Sequence, residues 1–84
     1  MKLKVYTKEF DENKRETLEF VEEIKKHYDV ELINLDGKEA AADADIYNIY
    51  STPTLLVVRD DGTETECWRG SLPMLSVVKL ALNR

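Results

Sequence analysis

Between Lys2 and Asp36 the hydrophobic period changes twice, and that limits the folds open to the chain more than any other feature. Lys2 to Thr7 sets Leu3, Val5 and Thr7 on one side and Lys4 and Tyr6 on the other, the period of a strand. After the polar stretch Lys8 to Asn13, the residues Leu18, Val21, Ile24 and Tyr28 recur every three or four positions, with Phe20 widening the stripe. This spacing predicts a helix from about Glu12 to Tyr28. Asp11 or Asn13 can cap it, and Glu12 and Glu16 suit the positive end of its dipole. Val30, Leu32 and Asn34 then alternate with Glu31, Ile33 and Leu35 as far as the turn signal Asp36-Gly37, which predicts a second strand. Two strands joined through a helix should lie parallel, with a right-handed crossover.

The rest of the chain extends that unit. Lys38 to Tyr47 is built around Ala40 to Ala44 and has no β-branched residue before Ile46, so a short second helix is expected. Thr54 to Arg59 is β-branched and apolar, Asp60-Asp61-Gly62 is a turn, and Thr63 to Arg69 alternates again. The two runs should form a hairpin that adds antiparallel pairing and ends at Gly70. Ser71 can cap a last helix that docks on the sheet through Leu72, Leu75, Val78 and Leu82, with Val77 and Leu80 beside them. The expected architecture is α/β, in the order β-α-β-α-β-β-α. It is a mixed four-stranded sheet with flanking helices, formed by residues 1–84 as a single domain. A chain of 84 residues has room for one core.

The segment Tyr47-Asn48-Ile49-Tyr50-Ser51-Thr52-Pro53-Thr54-Leu55-Leu56-Val57-Val58, taken with that element order, resembles the thioredoxin superfamily. In that family a Tyr-x-Ile stretch leads into a Pro-Thr that opens the third strand. A turn containing Gly follows, and a second Gly closes the fourth strand. Pro53-Thr54, Gly62 and Gly70 stand in that order here, and the short N-terminal part makes the chain glutaredoxin-sized. The resemblance implies a cis Thr52-Pro53 bond, with the backbone of Thr52 in the place that pairs with an extended peptide or thiol substrate. The other reading of the proline is a trans residue entering an edge strand, where its missing N–H is tolerated.

The chain departs from the family where the family does its chemistry. Its Cys-x-x-Cys lies between the first strand and first helix, where the helix N-terminus lowers the pKa of the nucleophilic thiol. Here that loop reads Lys8-Glu9-Phe10-Asp11-Glu12-Asn13-Lys14-Arg15, and alignment on a glutaredoxin pattern puts Asp11 and Lys14 at the cysteine positions. Disulfide exchange proceeds by thiolate attack through a mixed disulfide, which neither a carboxylate nor an amine can perform. No dithiol oxidoreductase site is expected.

Few other residues offer chemistry. Cys67 is the only thiol. It falls on the same strand face as Thr65 and Arg69, opposite Glu64, Glu66 and Trp68, and reads first as a packing residue. Arg69 would favour a thiolate there, while Glu66 would oppose it. His27, the lone histidine, suits the negative end of the first helix. The pairs Asp43 and Asp45, and Asp60 and Asp61, lack calcium-loop spacing, and no Gly-rich phosphate loop or catalytic triad appears, so no metal and no cofactor is expected. Trp68 reads either as core or, with Phe10, as an apolar wall beside the vacated site.

Seventeen acidic residues against 12 basic ones give a net charge of −5, which repels a phosphate backbone, so no nucleic acid is expected as partner. The longest apolar runs fall far short of the ~20 residues of a membrane span. Met1 to Val5 passes directly into the strand pattern without the apolar stretch of a secretory leader, and the single cysteine suits a reducing compartment, so the expectation is cytoplasmic. The leading functional expectation is a non-catalytic binding module that takes a peptide or partner protein at a groove formed by Phe10, Asp11, Lys14, Thr52, Pro53, Trp68, Arg69 and Gly70. The alternative is a single-cysteine redox protein acting through Cys67, by glutathionylation or an intermolecular disulfide. A third reading makes the vacated site an interface between copies of the chain.

Overall fold

Four strands form one sheet in the order β2-β1-β3-β4. They are β1 (Lys2–Thr7), β2 (Val30–Asn34), β3 (Thr54–Val58) and β4 (Glu64–Arg69). The computed structural model describes residues 1–9, 12–37, 45–49 and 51–83. β1 pairs in parallel with β2, from Leu3 opposite Val30 to Thr7 opposite Asn34, as the strand-helix-strand reading required. β3 lies antiparallel to β1, with Val5 opposite Leu55, and β4 lies antiparallel to β3, with Leu55 opposite Trp68. The register of the last pair shifts between Val57 and Val58, beside the hairpin turn.

Alternation along the strands sends side chains to two faces, and both are covered. On one face Leu3, Val5, Leu55 and Val57 pack against Val21 and Ile24 of α1 (Lys14–Ile24) and Val78, Ala81 and Leu82 of α2 (Leu75–Leu82). On the other, Tyr6, Leu56 and Val58 pack with Ile49, flanked by Ile33, Leu35, Tyr47 and Cys67. All five residues of β3 are buried, the burial expected of a strand with a layer on each side. This explains why Thr54 to Val58 carries no polar alternation.

Both described helices are shorter than their periodicity suggested. α1 stops at Ile24, and residues 25–28 form a turn in which the His27 and Tyr28 N–H groups both donate to Ile24 O. His27 is therefore exposed beyond the helix rather than part of its last turn. Tyr28 still reaches the core face, and its hydroxyl contacts Asn83 Oδ1 at 3.0 Å. Asn13 occupies the N-cap position but makes no side-chain capping bond; its carbonyl accepts from both Thr17 N–H and Thr17 Oγ1, each at 2.9 Å. Satisfied in this way, the Thr17 hydroxyl can be fully buried. The buried stripe of α1 is accordingly Thr17, Val21 and Ile24, and Leu18 turns outward.

Ser71 does not cap the last helix. Pro73 disfavours helical backbone at Leu72, Met74 is extended (φ −65°, ψ 143°), and α2 begins at Leu75. Val78 and Leu82 are buried and Leu72 and Leu75 half-buried, while Val77 and Leu80 remain exposed. Of the expected helix at 38–47, residues 45–47 are helical and 38–44 lie outside the described residues. Among the described residues no helix is long and apolar enough to cross a membrane.

Candidate functional site

The end of β1, the opening of α1, residues 51–53 and the exit of β4 meet at one end of the sheet. Register places them there: Tyr6 faces Thr54, Thr54 faces Arg69, and the Gly70 N–H donates to Pro53 O at 2.9 Å. The Thr52–Pro53 peptide bond is cis, and Pro53 is buried. Gly70 has φ +81°, a conformation that suits glycine, and a Cβ added there would stand 3.9 Å from Ser51 Oγ.

Local bonds fasten the segment on both sides of Thr52. The buried Thr54 hydroxyl donates to Ser51 O at 2.7 Å, and Pro53 O is taken by Gly70. Among the described residues, no hydrogen bond engages the backbone N–H or C=O of the half-buried Thr52. The Thr52 N–H and C=O therefore stand as a backbone donor and acceptor without a protein partner among the described residues.

Arg69 turns away from that opening. Its guanidinium donates through Nη1 to Asn48 O at 2.6 Å and through Nη2 to Tyr47 O at 3.1 Å, and Nη2 stands 3.8 Å from Glu64 Oε1. Asn48 adopts the left-handed conformation (φ +57°) next to Tyr47, so the two carbonyls converge on one planar fork. The Tyr47 phenol donates to Gly62 O at 2.8 Å, and the Lys4 ammonium lies 5.2 Å from its ring centre. Residues 47–48 are thus held at both ends of the β3–β4 hairpin. The sequence reading places Arg69 in the groove itself and beside Cys67; its bonds to the Asn48 and Tyr47 carbonyls carry no side-chain signature that could have marked them.

Cys67 and Trp68 point to opposite faces of β4. Cys67 is half-buried against the Tyr6, Ile49, Leu56 and Val58 cluster. Burial pushes its thiol above the ordinary value; the Arg69 charge pulls it down, and Glu64 pushes it up again. Trp68 is half-buried on the helix-covered face, against the cluster that includes Leu72 and Leu75. Lys14 opens α1 with its Nζ 3.2 Å from Glu9 Oε2, and the Glu9 N–H donates to Asp36 Oδ2 at 3.1 Å, tying this loop to the exit of β2. Phe10 and Asp11 lie outside the described residues. The structure therefore brings Thr52, Pro53 and Gly70 together, while the Arg69 head and the Cys67 thiol belong to the opposite side of the sheet from Trp68. Among the described residues no His, Cys, Asp and Glu side chains gather as a metal site.

Three solved structures are similar to the whole of this architecture. Thioredoxin 1 of the thermophilic eubacterium Thermosipho africanus superposes with a TM-score of 0.78 at 15% identity, covering 99% of this chain and 96% of the other. A thioredoxin-fold protein of Helicobacter pylori gives 0.76 at 19% identity, covering 98% of this chain and 68% of the other. A thioredoxin of Thermus thermophilus gives 0.63 at 18% identity, covering 94% and 68%. No family model and no curated protein sequence matches the chain.

Proposed function

We propose, from the premise that this chain has the thioredoxin fold but a single cysteine, that it is a non-catalytic module binding an extended segment of a partner protein beside Pro53. The observation that supports this most is the Thr52 backbone, whose N–H and C=O have no hydrogen bond among the described residues. An extended guest offers one acceptor and one donor at the spacing of a strand, and main-chain pairing of this kind supplies affinity without requiring one guest sequence. Phe10 and Asp11, which precede α1 in the sequence, and Lys14, its first residue, would supply side-chain contacts. Gly70 bounds the opening on the other side, and Arg69 supports it indirectly by holding residues 47–48. The reading through Cys67 has less support, because burial pushes the thiol's pKa up and so disfavours the thiolate, which is the nucleophile.

The test is a selection of random peptides on the immobilised protein, followed by amide shift mapping with the peptides recovered. The largest shifts are expected at Thr52 and Gly70, with binding lost when Phe10→Ala, Asp11→Ala and Lys14→Ala are combined. Peptides that still bind a folded triple variant and leave the Thr52 and Gly70 amides unmoved would overturn the proposal.

A further inference from the structure

Independently of that reading, we infer that the outer edge of β2 pairs antiparallel with β2 of a second copy of this chain, on a two-fold axis through Leu32. The Leu3 N–H donates to Asp29 O at 2.9 Å and the Leu35 N–H donates to Thr7 O at 2.8 Å, so these bonds bracket the β1–β2 ladder. In a parallel pair the inward-facing residues alternate, which turns Asp29, Glu31, Ile33 and Leu35 toward β1. The backbone groups of Val30, Leu32 and Asn34 therefore face outward. Among the described residues no strand pairs with them, β2 being the end of the sheet.

This edge lacks the devices that block strand addition. Val30-Glu31-Leu32-Ile33-Asn34 contains no proline and no basic residue, and its register with β1 runs without a bulge. Its one charge, Glu31, is bonded to Lys2 at 2.6 Å. The opposite edge of the sheet differs, since β4 carries Glu64, Glu66 and Arg69 and has a register shift opposite Val57 and Val58.

The occupant follows from self-complementarity. An antiparallel copy centred on Leu32 sets Leu32 opposite Leu32 and Val30 opposite Asn34 as hydrogen-bonded pairs, so the outward backbone groups of each strand find partners in the other. Asn34 O already accepts the Gly37 N–H at 3.0 Å and has a second lone pair for the partner strand. Glu31 falls opposite Ile33, so no like charges oppose one another across the pair. The Leu32 side chain is 43% exposed, and it shares the Val30 face of the sheet, so the two Leu32 side chains meet and cover each other. Each copy carries a net charge of −5, so added salt should tighten the association.

Sedimentation equilibrium and amide hydrogen exchange, both followed against protein concentration, test this. The expected result is a monomer–dimer equilibrium in which the Leu32 amide exchanges at least about tenfold more slowly in concentrated than in dilute protein. The inward Glu31 and Ile33 amides should be protected at both concentrations. Leu32→Lys puts two cations on the axis at an exposed position and should weaken dimerisation at least about tenfold, with the thermal midpoint of the dilute protein unchanged. A monomer at all concentrations up to about 1 mM would overturn the inference. So would a dimer whose Leu32 amide exchanges freely, or a Leu32→Lys dimer as tight as the wild type.

Discussion

Arg69 holds Asn48. The guanidinium at the end of β4 donates to the carbonyl of a left-handed residue 21 positions earlier, at 2.6 Å, and its second nitrogen takes the Tyr47 carbonyl beside it. One side chain thereby holds residues 47 and 48, a few positions before the candidate site at 51–53 in the sequence.

Truncation of that fork should be felt as lost stability. Arg69→Ala is expected to cost about 1–2 kcal/mol, less than the full value of a charged hydrogen-bond pair because the side chain is half-exposed. Arg69→Lys should recover only part of this, since one ammonium does not reproduce a planar fork. Urea unfolding with an unchanged slope is the measurement, and equal stability of all three proteins would refute the bracing role.

The Thr54 hydroxyl should shape the Thr52 segment from beneath. Thr54→Val keeps the shape but removes the 2.7 Å bond to Ser51 O, at a cost of about 1–2 kcal/mol. Peptides recovered as described above should bind this variant more weakly, while Lys14→Ala alone, which breaks only an exposed ion pair with Glu9, should change stability by less than about 1 kcal/mol. Calorimetric titration together with urea unfolding separates the two effects.

Gly70→Ala should destabilise for a conformational reason. With φ at +81° the residue lies where an L side chain is disfavoured, and the nearest atom to an added Cβ is 3.9 Å away, so strain rather than collision sets a cost of about 1–2 kcal/mol. Gly70→Asn should cost less than Gly70→Ala, and the reverse order in urea unfolding would refute the argument.

Cys67 should make the folded state sensitive to alkali. Its folded pKa is raised, chiefly by burial, above the ordinary 9.0. Its contribution to stability is therefore complete below the unfolded pKa and is lost as pH rises through the folded one. Thermal midpoints recorded upward from neutral pH should fall more steeply in the wild type than in Cys67→Ala. At neutral pH an aromatic disulfide reagent should label the folded thiol much more slowly than the urea-unfolded one. Insulin reduction with dithiothreitol should not exceed the uncatalysed rate, and turnover that disappears in Cys67→Ser would revive the redox reading.

Trp68 should prove mainly structural. Its ring is half-buried against the cluster containing Leu3, Val5 and Leu55, so Trp68→Ala is expected to cost about 3 kcal/mol, near the low end for removal of a buried aromatic. A variant as stable as the wild type would instead place the ring free at the surface.

Periodicity along the chain determined a great deal by itself. Lys2–Thr7 is a strand to the residue, β1 and β2 are parallel as a strand-helix-strand unit requires, and Cys67 and Trp68 fall on opposite faces as alternation demands. Such features are legible because the period of a strand or helix is set by covalent geometry and acts between near neighbours. The fold of the Pro53 segment was legible through its resemblance to a known family, whereas Phe10 and Asp11 lie outside the described residues. Only the tertiary structure decided that Thr17 and not Leu18 faces the core, that the last helix waits until Leu75, and that Arg69 serves Tyr47 and Asn48 rather than the opening beside Pro53. In each case the deciding partner is a backbone group or a packed surface. Every residue carries a carbonyl, so nothing in the order of side chains marks which one a distant guanidinium will find until the sheet has brought the two ends together.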